Sequence, residues 1–344
     1  MTLGVGIIGA GPGVAALHLP TLARLDDAFR VVHIADGGSG RAAGLATRVG
    51  ARSSTGTASL LADPDVEVVA ICSPPPRHAE QIIAAVAAGK RAVFCEKPIG
   101  TTVREAEDAI EACRRAGVPL IVGTNHHFDP AWGRAKHHLT ASGGPVVSIA
   151  VTLALAPNGR YHDLVTELSQ AAAGGRGLPD LTDPRVAAGV VRQLLTGLAI
   201  HDLPLVRDLA PRFERVVFAR ALAPIGYAVG FVASGIPVQL TTTMLPGGGD
   251  TLWRLSVATA TDRLDVGFPP PFVHAGGARV RVRAADGRDT SYAHDSGDGY
   301  IAEWHALAEL LDAGLPVEYD ELLDDARYAI GLADAASDLA GVVA

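Results

Sequence analysis

Apolar and polar positions divide the chain into two regimes. Up to about residue 122, short apolar runs alternate with stretches of helical spacing. The runs Gly4–Ile8, Arg30–Ala35, Val66–Cys72, Arg91–Cys95 and Pro119–Gly123 read as strands. Val14–Leu25, Arg41–Val49, His78–Ala88 and Val103–Ala116 read as helices. This alternation predicts a parallel, doubly wound α/β sheet. Pro20 lacks a backbone donor, so the first helix should kink or restart there.

After about residue 140 the strands lengthen and read as antiparallel: Val146–Leu155, Arg215–Ala221, Tyr227–Ala233, Pro237–Met244, Leu252–Thr259 and Ala278–Ala284. In the last, Val280 and Val282 alternate with Arg279, Arg281 and Arg283, giving one apolar and one basic, solvated face. A glycine-rich excursion, Ala156–Leu181, reads as a substrate lid or a loop. A helical stretch over Pro184–Leu209 follows it, and two helices, Tyr300–Ala313 and Glu321–Ala336, close the chain. The expected organisation is a dinucleotide domain over residues 1–124 and an α+β domain with a large, mostly antiparallel open sheet over 125–344. The closing helices are expected to pack back on the body.

A length of 344 residues fits two such domains. A net charge of −8, with both signs dispersed, offers no basic stripe for nucleic acid. No apolar run approaches the roughly 20 residues that span a bilayer, and Leu3–Ile8 reads as a first strand rather than a leader. Cys72, Cys95 and Cys113 show neither paired nor metal-type spacing, and a reducing cytoplasm is expected.

The chemistry gathers at predicted strand ends. Gly9-Ala10-Gly11-Pro12-Gly13 follows a strand and opens a helix, the setting in which glycines admit a pyrophosphate to a helix N-terminus. Val14 stands where the fingerprint has Gly or Ala. Asp36 ends the second strand, where a carboxylate can accept from an adenosine ribose and oppose a 2′-phosphate. That favours NAD; Ser39 and Arg41 in the following loop leave NADP open. Cys72-Ser73-Pro74-Pro75-Pro76-Arg77-His78 ends the third strand as a rigid turn that would wall a nicotinamide pocket. Glu96-Lys97-Pro98 ends the fourth and sets an ammonium where a dinucleotide would present its reactive ring.

The ordered set Gly9-x-Gly11, Ser73-Pro74-Pro75 with His78, and Glu96-Lys97-Pro98 resembles the Gfo/Idh/MocA oxidoreductases. The resemblance implies a Rossmann domain that binds NAD or NADP. It implies hydride transfer at a carbinol or ketone carbon of a sugar, cyclitol or related polyol, with Lys97 reaching the substrate oxygen. It makes His201 the second catalytic residue, with Asp202 a lesser substrate contact. The family's helix reads Asp-x-Gly-x-His, whereas here Gly197 and Ala199 precede His201. On a regular helix Asp202 would point about 100° away from His201, and Pro204 is expected to kink that helix. Asn125 fits a family asparagine near cofactor and substrate, and His127 stands near a family arginine. His18 is offset by one residue from a family histidine. His126, His127, His137 and His138 fit no standard metal set, and no metal is expected. A homodimer or homotetramer through an apolar open sheet face is expected. Two other readings stay open: a cofactor-binding sensor that has lost chemistry, and a glycosidase using tightly held NAD.

Overall fold

The structure, a computed structural model, describes residues 2–141, 144–156, 160–161, 177–245, 251–274, 276–293 and 297–342. Most of the Ala156–Leu181 excursion lies outside the described residues. The chain divides into two compact units. One contains Met1–Gly123 and Glu303–Ala326; Thr124–Tyr161 and Arg327–Ala344 belong to the other, as do the long antiparallel strands.

The first unit is built on a parallel sheet of β1 (Leu3–Ile8), β2 (Phe29–Asp36), β3 (Arg52–Thr55), β4 (Val68–Ile71), β5 (Ala92–Glu96) and β6 (Leu120–Gly123). Its order is β3-β2-β1-β4-β5-β6, so the winding reverses between β1 and β4. β1, β4 and most of β5 are fully buried, which is why they read as continuous apolar runs. β3 carries no such run. Its Arg-Ser-Ser-Thr sequence is mostly exposed at the sheet edge, tied inward by Ser54 Oγ to His33 Nε2 at 3.0 Å and by Arg52 to Asp63. Trp304 is fully buried, stacked on Phe94 (4.6 Å between centroids, 8° between planes) and edge-on to Phe29 at 5.1 Å.

The first helix restarts near Pro20, as its missing donor requires. Val14–His18 forms a π turn in which Leu19 N–H donates to Val14 O, and Leu19–Ala23 then continues with Pro20 in its first turn.

The second unit holds an eight-stranded sheet ordered β14-β13-β12-β11-β7-β10-β9-β8. Its strands are β7 (Val146–Leu155), β8 (Phe213–Ala221), β9 (Ile225–Ala233), β10 (Ile236–Met244), β11 (Leu252–Thr259), β12 (Asp262–Gly267), β13 (Arg279–Ala284) and β14 (Asp289–Tyr292). All pairings are antiparallel except β7 with β10. β12 and β14 are short and interrupted by charge, so their alternation was too brief to read as strand. Ile149, Val151, Leu153, Val229, Phe231 and Leu255 form one buried face, covered by Val191, Leu194 and Leu195 of the helix Pro184–Gly197.

The open face of this sheet is mixed. Strand alternation sends most large apolar side chains inward and leaves Ala150, Thr152, Thr241, Arg254 and Ser256 in register on the other side, where Leu252 and Phe218 are exposed as well. Arg279, Arg281 and Arg283 lie exposed on this same sheet, with Arg281 donating to Asp289. The expectation for Pro184–Leu209 is corrected, because the stretch is not one kinked helix. It breaks into Pro184–Gly197, a tight turn Ala199–His201, and a new helix Leu203–Leu209 that carries Pro204 in its first turn, where a missing N–H costs no helical bond.

Trp304→Ala should lower the stability of the first unit by about 3–5 kcal/mol, the range for large buried rings. Chemical denaturation followed by circular dichroism would show the shift, and an unchanged midpoint would contradict this packing role.

Candidate active site

In the first unit three strand ends meet around the point where the winding reverses. β1 runs into Gly9, whose φ of 124° and closeness to the next turn both exclude a side chain: a Cβ there would lie 2.4 Å from Cys72 O. Gly11 is different. A Cβ on it would meet no atom within 4 Å, so the backbone faces open space at the start of the helix, as a phosphate cradle requires. Pro12 and Gly13 continue this half-exposed turn, and Val14 N–H donates back to Gly11 O at 3.0 Å.

Asp36 ends β2 nearly buried. It accepts from Ser39 Oγ (2.6 Å), Gly38 N–H (2.8 Å) and Ala42 N–H (3.0 Å). The Ser39 bond and these amides hold its carboxyl below the usual aspartate range, against the effect of burial. The carboxylate therefore folds its own loop and remains negative where an adenosine ribose would lie. Arg41 begins the next helix, its amide 3.4 Å from Ser39 Oγ.

The Ser73–His78 turn is fixed from behind. His78 is buried, and its ring bridges Pro98 O and Ser73 O, each at 2.7 Å, so it links the β4 and β5 ends rather than facing solvent. Ser73 Oγ donates to Gln81 Oε1 at 2.6 Å, and Pro74 is exposed at the head of the turn.

At the end of β5, Glu96 accepts from His18 Nε2 at 2.9 Å. Burial opposes charge on the His18 ring, but Cys72 and Glu96 outweigh it and raise its pKa above the ordinary histidine value. Burial raises the Glu96 pKa in turn, yet His18 and Lys97 bring it below the usual glutamate value. Lys97 is half-buried. Burial lowers its pKa below that of an ordinary lysine, while the Glu96 charge opposes the fall. The result is an ammonium easier to deprotonate than a surface lysine and steadied by the adjacent carboxylate. The one-residue offset that set His18 apart is taken up by the π turn, which lodges one extra residue before His18 reaches Glu96.

In the second unit, Asn125 begins the short helix Asn125–Phe128. It is buried, and its Oδ1 has no hydrogen-bond partner among the described residues. His127 turns elsewhere, half-exposed with Nε2 3.7 Å from Asp208. Between them, it is His126, weighed in the sequence only for metal, that approaches His201, at 5.5 Å between ring centroids. His126 stacks on Phe268 (3.6 Å, 7°) and meets Trp253 edge-on. Asp202 is fully buried. It accepts from His126 Nδ1 at 3.0 Å and Trp253 Nε1 at 2.8 Å, and so stands behind the rings rather than at a surface a substrate reaches. No sequence signal marked Trp253, which is brought in from β11 by the sheet.

Residues 3–124 match the model of the oxidoreductase family with an NAD-binding Rossmann fold, Gfo/Idh/MocA. Over this region the chain matches that family's model, and the cradle at Gly9–Gly13 with Asp36 fits a nicotinamide dinucleotide. Among curated relatives, inositol 2-dehydrogenase 3 of Saccharopolyspora erythraea is 37% identical over 144 residues, which are 42% of this chain and 42% of the relative. Inositol 2-dehydrogenase 2 of the same organism is 31% identical over 226 residues, 65% of this chain and 58% of the relative. The matched stretches thus span under two thirds of each relative. A solved 3-ketoreductase from Actinomadura kijaniata, in complex with NADP and TDP-benzene, superposes with a TM-score of 0.73 at 20% identity over 95% of both chains, a likeness of fold.

The lowered Asp36 pKa carries a sign. Its contribution to stability is complete above the unfolded aspartate pKa and disappears as pH falls through the lower folded value. The stability gap between wild type and Asp36→Asn should therefore be open at pH 7 and close in acid. A gap that persists unchanged below the folded pKa in urea titrations would contradict the carboxylate's role.

Proposed function

We propose that this protein is an NAD(P)-dependent oxidoreductase that moves hydride between the nicotinamide and a carbinol or ketone carbon of a sugar, cyclitol or related polyhydroxylated compound. The observation that carries this reading is Lys97. It sits beside a half-buried, histidine-bound carboxylate at a strand end of the same sheet whose first strand ends in the glycine cradle. The names of the relatives, inositol dehydrogenases among them, support the substrate class.

When bound, the nicotinamide supplies or accepts the hydride. The protein's own part is to move a proton at the substrate oxygen. In reduction, the Lys97 ammonium donates it to the developing alkoxide; in oxidation, the neutral amine takes it from the hydroxyl. Burial, by easing deprotonation, serves both directions. Glu96 and His18 keep the strand end polar and fix where Lys97 starts. His201 is the assisting acid/base or orienting group by its family position, and the unpartnered Asn125 amide oxygen offers an acceptor to a substrate hydroxyl or to the cofactor. Asp36 favours NAD over NADP, because a charged 2′-phosphate would meet a carboxylate held below its usual pKa. Three free thiols agree with a cytoplasmic setting.

Lys97→Met should lower kcat by about 10²–10⁴-fold, the usual worth of general acid–base catalysis, and leave cofactor affinity nearly unchanged. A panel of polyols and keto-sugars followed at the NADH absorbance band checks this, and full turnover by the variant would overturn the assignment. Sugar release without net NADH would instead favour the glycosidase reading. We also propose a homodimer or homotetramer through the open face of the eight-stranded sheet, on the strength of the family resemblance. Light scattering that finds a monomer at assay concentration would contradict it.

A further inference from the structure

The family resemblance expects a carboxylate one helical turn before His201, and that position is Gly197, the last residue of its helix. A side chain at 197 would meet no atom within 4 Å, so crowding does not explain the glycine. A carboxylate nevertheless stands near His201, reached by another route. The break after Gly197 and the tight turn Ala199–His201 place Asp202 inward, at 0% exposure, while His201 stays half-buried.

The hydrogen bonds of Asp202 define its protonation partner. Trp253 Nε1–H can only donate, so one carboxylate oxygen must accept from it. The other oxygen lies 3.0 Å from His126 Nδ1. With Asp202 as the acceptor, His126 donates through Nδ1–H, which leaves Nε2 as the ring's acceptor nitrogen. His126 is 3% exposed and Trp253 3% exposed, and both rings lie within 5.6 Å of the His201 ring, centroid to centroid. Phe268, stacked on His126 at 3.6 Å, closes the far side.

We propose that Asp202 and His126 are positioning residues for His201: the buried carboxylate locks the tautomer of His126 and, together with Trp253, fixes the ring wall that orients the His201 imidazole toward substrate. The carboxylate missing from position 197 is thereby supplied from behind, through a second histidine. This deepens the oxidoreductase reading and rests on His201 being its assisting group.

The test uses the full chain with ¹⁵N-labelled histidine. In the wild type, His126 should give the Nδ1–H tautomer pattern. Asp202→Asn can donate to Nδ1 and still accept from Trp253, so it should convert His126 to the Nε2–H form and move the His201 ring signals with it. With a substrate in hand, kcat should fall roughly 10–100-fold, as for supporting partners of other catalytic groups, while KM for the cofactor and the melting temperature change little. Trp253→Phe, which keeps a ring but removes the donor, serves as the second variant should Asp202→Asn fail to fold, and it too should move the His201 signals. Unshifted His201 signals in a folded variant, or wild-type kcat in Asp202→Asn, would overturn the proposal. Absence of turnover on every carbinol and ketone would instead count against the oxidoreductase reading, and the ring signals would still decide the positioning role.

Discussion

The contact between His18 and Glu96 is the constraint on which the first unit's chemistry depends. A carboxylate at the end of a buried strand is costly unless it is matched by hydrogen bonds and opposite charge. Here one histidine bonds it at 2.9 Å and the next residue is a lysine. The same pairing limits how far burial can depress Lys97, so the lysine keeps a charge that can be given up. The chain goes to some length to make the contact. The first helix opens as a π turn, and Pro20 restarts it immediately after His18.

Around that contact, the ends of neighbouring strands are joined by side chains rather than left as independent loops. His78 bridges the turns after β4 and β5, Gly9 packs against the Cys72 carbonyl, and Asp36 gathers its own loop through three hydrogen bonds. The second unit solves a related problem differently. Its buried acid, Asp202, is matched by a histidine and an indole, and three aromatic or imidazole rings build a wall on it.

The sequence made the doubly wound sheet legible because β1, β4 and β5 are buried on both faces and read as unbroken apolar runs. Polar β3 and the short, charge-interrupted β12 and β14 escaped, since pairing to a neighbour, rather than their own pattern, makes them strands. Glu96-Lys97-Pro98 was legible as a motif at a strand end. The offset of His18 was visible too, but the π turn that absorbs it was not, because it depends on a local i→i−5 bonding pattern that no residue type marks. In the second unit, His126 and His127 are adjacent and chemically alike. Only the fold decides that His126 faces His201 while His127 turns to Asp208. Trp253 comes from a distant strand, and the break after Gly197 sends Asp202 inward, where a continuous helix would have placed it differently.

The central claim is that burial lowers, and Glu96 sustains, the proton affinity of Lys97. It is tested most directly by following the Lys97 side chain itself through a pH titration, with ¹³C-labelled lysine, in the wild type and in Glu96→Gln. The midpoint should lie below that of an ordinary lysine in the wild type and lower still in the variant, because the removed negative charge was holding the proton on. An ordinary lysine midpoint in both proteins, or an upward shift in Glu96→Gln, would contradict it.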